Sequence, residues 1–160
     1  MAILIVYYSL TGNTRTAASA LAKELDADIE EIHCARYKRG FWGFLKAGRD
    51  SWRDRLPPID PLSHDPAGYD LVVVAGPIWA MRPATPVRAL LRQYAGTLRN
   101  VAFLLTHGGS AGEKSLREME QLAGKAPLAS RVVREASIKS ESYQPAVASL
   151  AADLRTKTAA

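Results

Sequence analysis

Three short segments concentrate residue types that bind and turn over small molecules. The first is Ser9-Leu10-Thr11-Gly12-Asn13-Thr14, which follows an apolar run and opens a helical pattern. A helix N-terminus offers unbonded N–H groups and a partial positive charge, which suits a phosphate. Ser9, Thr11 and Thr14 add hydroxyls, Asn13 adds an amide, and Gly12 lets the backbone come close. Plain capping by Thr11 or Asn13 is the alternative. Capping needs one such residue, and here five of six positions are small or hydrogen-bonding. The second segment, Gly76-Pro77-Ile78-Trp79-Ala80, sets a large aromatic in a turn. The third, Thr106-His107-Gly108-Gly109-Ser110-Ala111-Gly112, is rich in glycine and holds a histidine. His107 can donate a hydrogen bond or a proton near neutral pH, the alternative being a strand-end surface residue. Ser110 with Glu113 reads as a capping box.

These segments need a scaffold that brings them to one edge. Apolar runs at Ile3–Tyr8, Leu71–Ala75, Val101–Thr106 and Arg131–Val133 read as strands, and Ile29–His33 as a more polar outer one. Helical spacing recurs at Thr14–Leu25, Pro86–Tyr94, Lys114–Leu122 and Gln144–Leu154. Strand and helix alternate, so the expected class is α/β with a mostly parallel sheet in a single domain over residues 1–160. In such sheets ligands bind beyond the carboxyl ends of the strands, where strand order reverses. All three segments leave those ends.

Rival phosphate motifs fail. No G-x-G-x-x-G follows the first strand. Gly108–Ser115 is superficially similar to a Walker loop, but Glu113 interrupts the Gly-Lys step. A receiver domain needs acidic residues where this chain has Tyr7, Tyr8 and Ser9. The pattern Tyr-Ser-x-Thr-Gly-Asn-Thr resembles the FMN phosphate loop of the flavodoxin family, and the other two segments agree in place and type. The likeness runs from Ile3 to about Leu154. It implies a three-layer flavodoxin-like sandwich with a five-stranded parallel sheet of order 2-1-3-4-5. It implies noncovalent FMN, with its phosphate on Ser9–Thr14. The ring would lie against Pro77, Ile78, Trp79, Ala80, Thr106, His107, Gly108, Gly109 and Gly112. Trp79 would stack on the flavin or cover its edge; a packed or interface aromatic is the alternative. His107 is the one catalytic candidate.

Charge is localised. The chain has 21 Lys and Arg against 16 Asp and Glu, a net +5. Residues 34–58 hold seven cations and two acids, and the remainder balances at 14 of each. The same segment holds five of the twelve aromatics. Phe41, Phe44, Leu45, Gly48 and Trp52 follow helical spacing, so an amphipathic helix is expected, with Lys46, Arg49 and Arg53 on its other face. It is read as a covering helix, as an overhang at the flavin edge that attracts an anionic cofactor or acidic redox partner, or as a module for anionic lipid or nucleic acid. No nucleic-acid signature accompanies it.

Flavodoxins proper are usually acidic and often carry Gly in the turn after the second ring segment, where a peptide flip steadies the semiquinone. Ala80 and Met81 stand there, and both resist a positive φ at about 1 kcal/mol. The expectation is therefore two-electron chemistry, for which the resemblance implies NAD(P)H as donor and a quinone-like acceptor. The alternatives are a one-electron carrier and an interaction module. The single cysteine, Cys34, excludes an internal disulfide and suggests a reducing, cytoplasmic setting. The first residues read as too short an apolar run for a signal peptide or a spanning helix. Partners stay open between a small acceptor, a redox protein and a second copy of the chain.

Overall fold

In the computed structural model, which describes residues 1–109 and 111–159, the first apolar run forms β1 (Ile3–Tyr7). Its side chains alternate between two cores. Ile3, Ile5 and Tyr7 join one, and Leu4, Val6 and Tyr8 join the other, so the strand is covered on both faces. Helix α1 (Asn13–Leu25) follows, then β2 (Asp28–Glu31), α2 (Phe41–Trp52) and β3 (Leu71–Trp79). A two-residue β4 (Arg82–Pro83) precedes α3 (Thr85–Tyr94), β5 (Val101–His107) and α4 (Gly112–Ala123). The chain ends with β6 (Ser130–Arg134), α5 (Glu135–Lys139) and α6 (Gln144–Ala159).

The main sheet runs β2-β1-β3-β5-β6, all parallel, which is the expected 2-1-3-4-5 order of its five long strands. Ile5 sits beside Ile29 and Val73, and Val73 beside Ala102, which fixes the register at the centre. Helices α1, α5 and α6 pack on one face and α2, α3 and α4 on the other. Val147, Leu150, Ala151 and Leu154 are all buried, so α6 turns its apolar stripe inward as its spacing predicts.

Two local features depart from expectation. β3 does not stop at Ala75. It continues through Trp79 and turns back into β4, with Ile78 beside Pro83 and Trp79 beside Arg82. That hairpin places Ala80 at φ 47 and Met81 at φ 65. Both residues therefore adopt the backbone they were expected to resist, at about 1 kcal/mol each, because the pairing on either side determines the turn.

The second departure is α2. It spans the expected residues, but its apolar stripe faces outward, against the reading of a covering helix. The buried residues are Ala47, Asp50 and Ser51. Phe41, Trp42 and Trp52 are 69%, 80% and 75% exposed, and Phe44 and Leu45 are exposed too. Polar bonds override the apolar stripe. Asp50 accepts from Arg36 Nε at 2.5 Å and from Tyr37 Oη at 3.1 Å, and Tyr37 Oη meets Thr85 Oγ1 at 2.7 Å. Ser51 Oγ donates to the Trp79 carbonyl at 2.7 Å. Arg88, 1% exposed, donates to the carbonyls of Ser51 and Pro83 and to Asp54.

Candidate functional site at the carboxyl edge of the sheet

β1, β3 and β5 are adjacent, and the chain leaves β1 and β3 toward opposite layers. A crevice opens at that point, as the topology requires. It is a cavity of about 190 Å³. Its walls are Ser9, Leu10, Thr11, Asn13 and Thr14 from the first segment, Pro77, Ile78 and Trp79 from the second, and Thr106 and Gly108 from the third. Ten of the expected residues thus meet in one place. Ala80, His107, Gly109 and Gly112 are not among the walls, and Gly12 lines a neighbouring cavity instead.

The first loop is shaped by its glycine. Gly12 stands at the N-cap of α1 with φ 100, and a Cβ there would meet nothing within 4 Å, so the left-handed backbone is what calls for glycine. No side chain caps this helix. Neither Thr11 nor Asn13 is spent in the way the capping alternative required. Ser9 Oγ instead accepts from the Gly12 N–H at 3.1 Å and holds the loop closed. The helix therefore meets the cavity with its partial positive end uncapped.

Thr14 behaves differently. It is buried, and its Oγ1 lies 2.7 Å from Thr106 Oγ1, a bond that ties the α1 start to β5. One hydroxyl of this pair keeps a proton to donate elsewhere. Trp79 is 6% exposed, with its ring edge-on to Tyr8 at 5.5 Å and to Tyr37 at 5.1 Å between centroids. Those contacts fix the indole as a rigid apolar wall. Burial pushes the Tyr8 hydroxyl far above its ordinary range.

The third segment is only partly at the site. His107 ends β5 between Thr106 and Gly108, and its Nδ1 is buried with no hydrogen-bond partner among the described residues. Gly112 begins α4, where a Cβ would press on both Val132 methyls at 3.0 Å, so this glycine serves packing. The Ser110 half of the expected capping box lies outside the described residues. The N-cap of α4 is Ala111, in left-handed backbone with no side-chain cap.

Two wall residues were not expected. Phe44 reaches the cavity from α2, and Glu135 from the start of α5. A Cβ on Gly108 would lie 3.5 Å from Glu135 Oε2, so glycine gives this carboxylate room. Phe44 belongs to the apolar face of α2, for which an overhang at the site was one of three readings. Glu135 follows the last strand, whose exit was given no role, although that end of a parallel sheet faces the same edge.

The neighbouring cavity, about 270 Å³, lies toward β2 and includes Arg15, Glu31, His33, Cys34 and Arg39. Arg15 is held there by Glu31 at 2.7 Å. Burial pushes the Cys34 thiol up, against the opposing pull of the Arg36 and Tyr37 N–H groups. Cys34 is thus the half-buried, unactivated residue its surroundings predicted.

A doubly wound parallel sheet with a crevice at its switch point defines a class: open-sheet α/β proteins, whose ligand sites lie beyond the carboxyl ends of the strands. The chain belongs to the flavodoxin family, whose model matches residues 2–144. A flavoprotein from Lactobacillus acidophilus, solved in complex with FMN, is 25% identical, with a TM-score of 0.72 over 88% of this chain and 97% of that one. A flavodoxin, WrbA-like protein from Agrobacterium tumefaciens shares the fold at 14% identity and a TM-score of 0.62, covering 98% of each chain. The flavodoxin of Streptococcus pneumoniae TIGR4 does so at 14% and 0.59, covering 98% of this chain and 99% of that one. A search of curated proteins finds no match.

Proposed function

We propose that the chain is an FMN-dependent oxidoreductase that passes a hydride from a nicotinamide cofactor to a quinone-like acceptor. The observation that carries FMN binding is the uncapped start of α1 opening into a cavity walled by all three predicted segments. FMN, when bound, supplies the redox chemistry. The residues present fit it. The first-turn N–H groups of α1 with Ser9, Thr11 and Asn13 would hold the phosphate by charge-assisted bonds. Trp79, braced by Tyr8 and Tyr37, gives the ring an apolar wall that does not yield. Phe44 closes the α2 side. His107 does not wall the cavity, but it ends β5 between two wall residues with its Nδ1 buried and unbonded among the described residues, which makes it the candidate proton holder at the strand end. The likeness to an FMN-bound flavoprotein supports the same reading.

A one-electron carrier is the second reading, and the turn at Ala80 and Met81 leaves it open. Its positive φ at both residues removes the backbone argument against such a carrier. Two experiments decide. The purified protein is expected to be yellow, to release FMN on denaturation, and to oxidise NADH or NADPH in the presence of a quinone. A colourless protein with no titratable FMN would sink both readings. An anaerobic titration that populates a long-lived half-reduced flavin, with no quinone turnover, would select the carrier.

A further inference from the structure

The outward face of α2 serves neither the core nor the phosphate loop. Around its axis, at about 3.6 residues per turn, the helix shows three stripes. Asp50, Ala47 and Ser51 face the protein. Phe41, Leu45 and Trp52 form an exposed apolar ridge, and Trp42 stands beside it. Arg49, Lys46 and Arg53 make a basic rail along that ridge. Among the described residues none of these three cations has an acidic partner, although twelve ion pairs form elsewhere. Both acids of the segment are turned to internal work: Asp50 serves Arg36, and Asp54 serves Arg82, Arg88 and Arg92.

From this arrangement we infer that α2 docks the protein on an anionic lipid surface. Aromatic and aliphatic side chains on a convex helix, bordered by cations, match the two layers of such a surface: acyl boundary and charged headgroups. The charge pattern also tells against a second copy as the occupant. A two-fold contact centred on this rail would set Arg49 and Arg53 of one copy against those of the other, and the rail itself carries no acid to receive them. The polar bonds of Asp50, Ser51 and Arg88 hold the ridge outward before any surface is met, so docking orders little new chain. Phe44 belongs to both the ridge side and the cavity wall, so docking brings the cavity mouth next to the headgroups.

The test uses the full-length protein, with whatever flavin it carries, and phosphatidylcholine vesicles with or without phosphatidylglycerol. Flotation with the anionic vesicles at low salt is expected, with release at high salt. Tryptophan emission should shift to the blue, because Trp42 and Trp52 are the exposed indoles. Arg49→Gln with Arg53→Gln is expected to weaken binding about thirtyfold, since each cation near an anionic surface contributes about 1 kcal/mol. Trp42→Ser with Trp52→Ser is expected to abolish the blue shift and weaken binding while circular dichroism stays unchanged. No flotation at low salt would overturn the inference. So would retention on duplex DNA without flotation. A dimer broken by the tryptophan pair, again without flotation, would assign the ridge to a second copy and overturn it too. None of these readouts depends on flavin turnover.

Discussion

Replacing Arg88 by methionine tests what holds the apolar stripe of α2 outward. The guanidinium donates to the Pro83 carbonyl at 2.9 Å, to Asp54 Oδ1 at 2.7 Å, and to the Ser51 carbonyl and hydroxyl at 3.0 and 2.9 Å. Burial, with Arg82 nearby, pushes its pKa below the ordinary arginine value, so the charge is kept at a desolvation cost that the acceptors offset. Methionine keeps most of the stem packing and removes every donor. Asp54 is partly exposed and can return to water. The Pro83 carbonyl cannot, and the Ser51 carbonyl keeps only the longer bonds from Arg82 Nη1 and the Asp54 N–H, both at 3.4 Å; an unsatisfied buried acceptor costs about 1–3 kcal/mol. Relief of the buried charge returns a fraction of that. The expected net loss is about 2 kcal/mol, a sizeable share of the 5–15 kcal/mol typical of a domain. Urea unfolding followed by circular dichroism should show a lower midpoint at unchanged slope. Hydrogen exchange should show α2 opening ahead of the central strands. A loss below about 1 kcal/mol, or uniform loosening with no preference for α2, would refute the idea that this network orients the helix.

Three further outcomes follow from the same contacts. Iodide is expected to quench Trp42 and Trp52 and spare Trp79, which is 6% exposed; protection of Trp52 would restore the inward apolar stripe. Burial raises the Asp50 carboxyl, but Arg36 and Tyr37 more than offset it, so it titrates below its ordinary value. Its contribution is fully present above the unfolded pKa near 3.9 and is lost as pH falls through the lower folded value. The stability gap between wild type and Asp50→Asn should therefore be constant at neutral pH and narrow below about pH 4; a gap independent of pH would contradict the pairing. Alkylation of Cys34 by iodoacetamide should be slower than in the urea-unfolded chain, with its rate still climbing past pH 9; a fast reaction at pH 7 would show an activated thiol.

Strand order and strand positions were legible because buried parallel strands leave continuous runs such as Leu71–Ala75, and α6 because its apolar residues repeat with the helical period. The place of Ser9–Thr14 at the strand-end cavity was legible because the segment leaves the first strand at its carboxyl end. The orientation of α2 was not, since hydrophobic periodicity assumes that the apolar stripe faces inward. Here three polar groups, Asp50, Ser51 and Arg88, outweigh it. A signal did exist: Arg88 sits between Val87 and Leu90, Leu91 on a helix otherwise buried along that side, and a buried arginine requires acceptors nearby. The hairpin at Ala80 and Met81 was hidden for a related reason. Local propensity disfavours positive φ at both, and cross-strand pairing with Arg82 and Pro83 decides it.

The central claim is that the uncapped α1 start holds the phosphate of FMN. The most direct measurement is paired titration of the flavin-free protein with FMN and with riboflavin, read by quenching of flavin fluorescence. The account predicts saturable one-to-one binding of FMN, about 100-fold or more tighter than riboflavin, since two charge-assisted hydrogen bonds contribute about 1.5–3 kcal/mol each. Ser9→Ala with Thr11→Ala should shrink that ratio while leaving riboflavin binding unchanged. Equal affinity for the two flavins, or no binding of either, would contradict it.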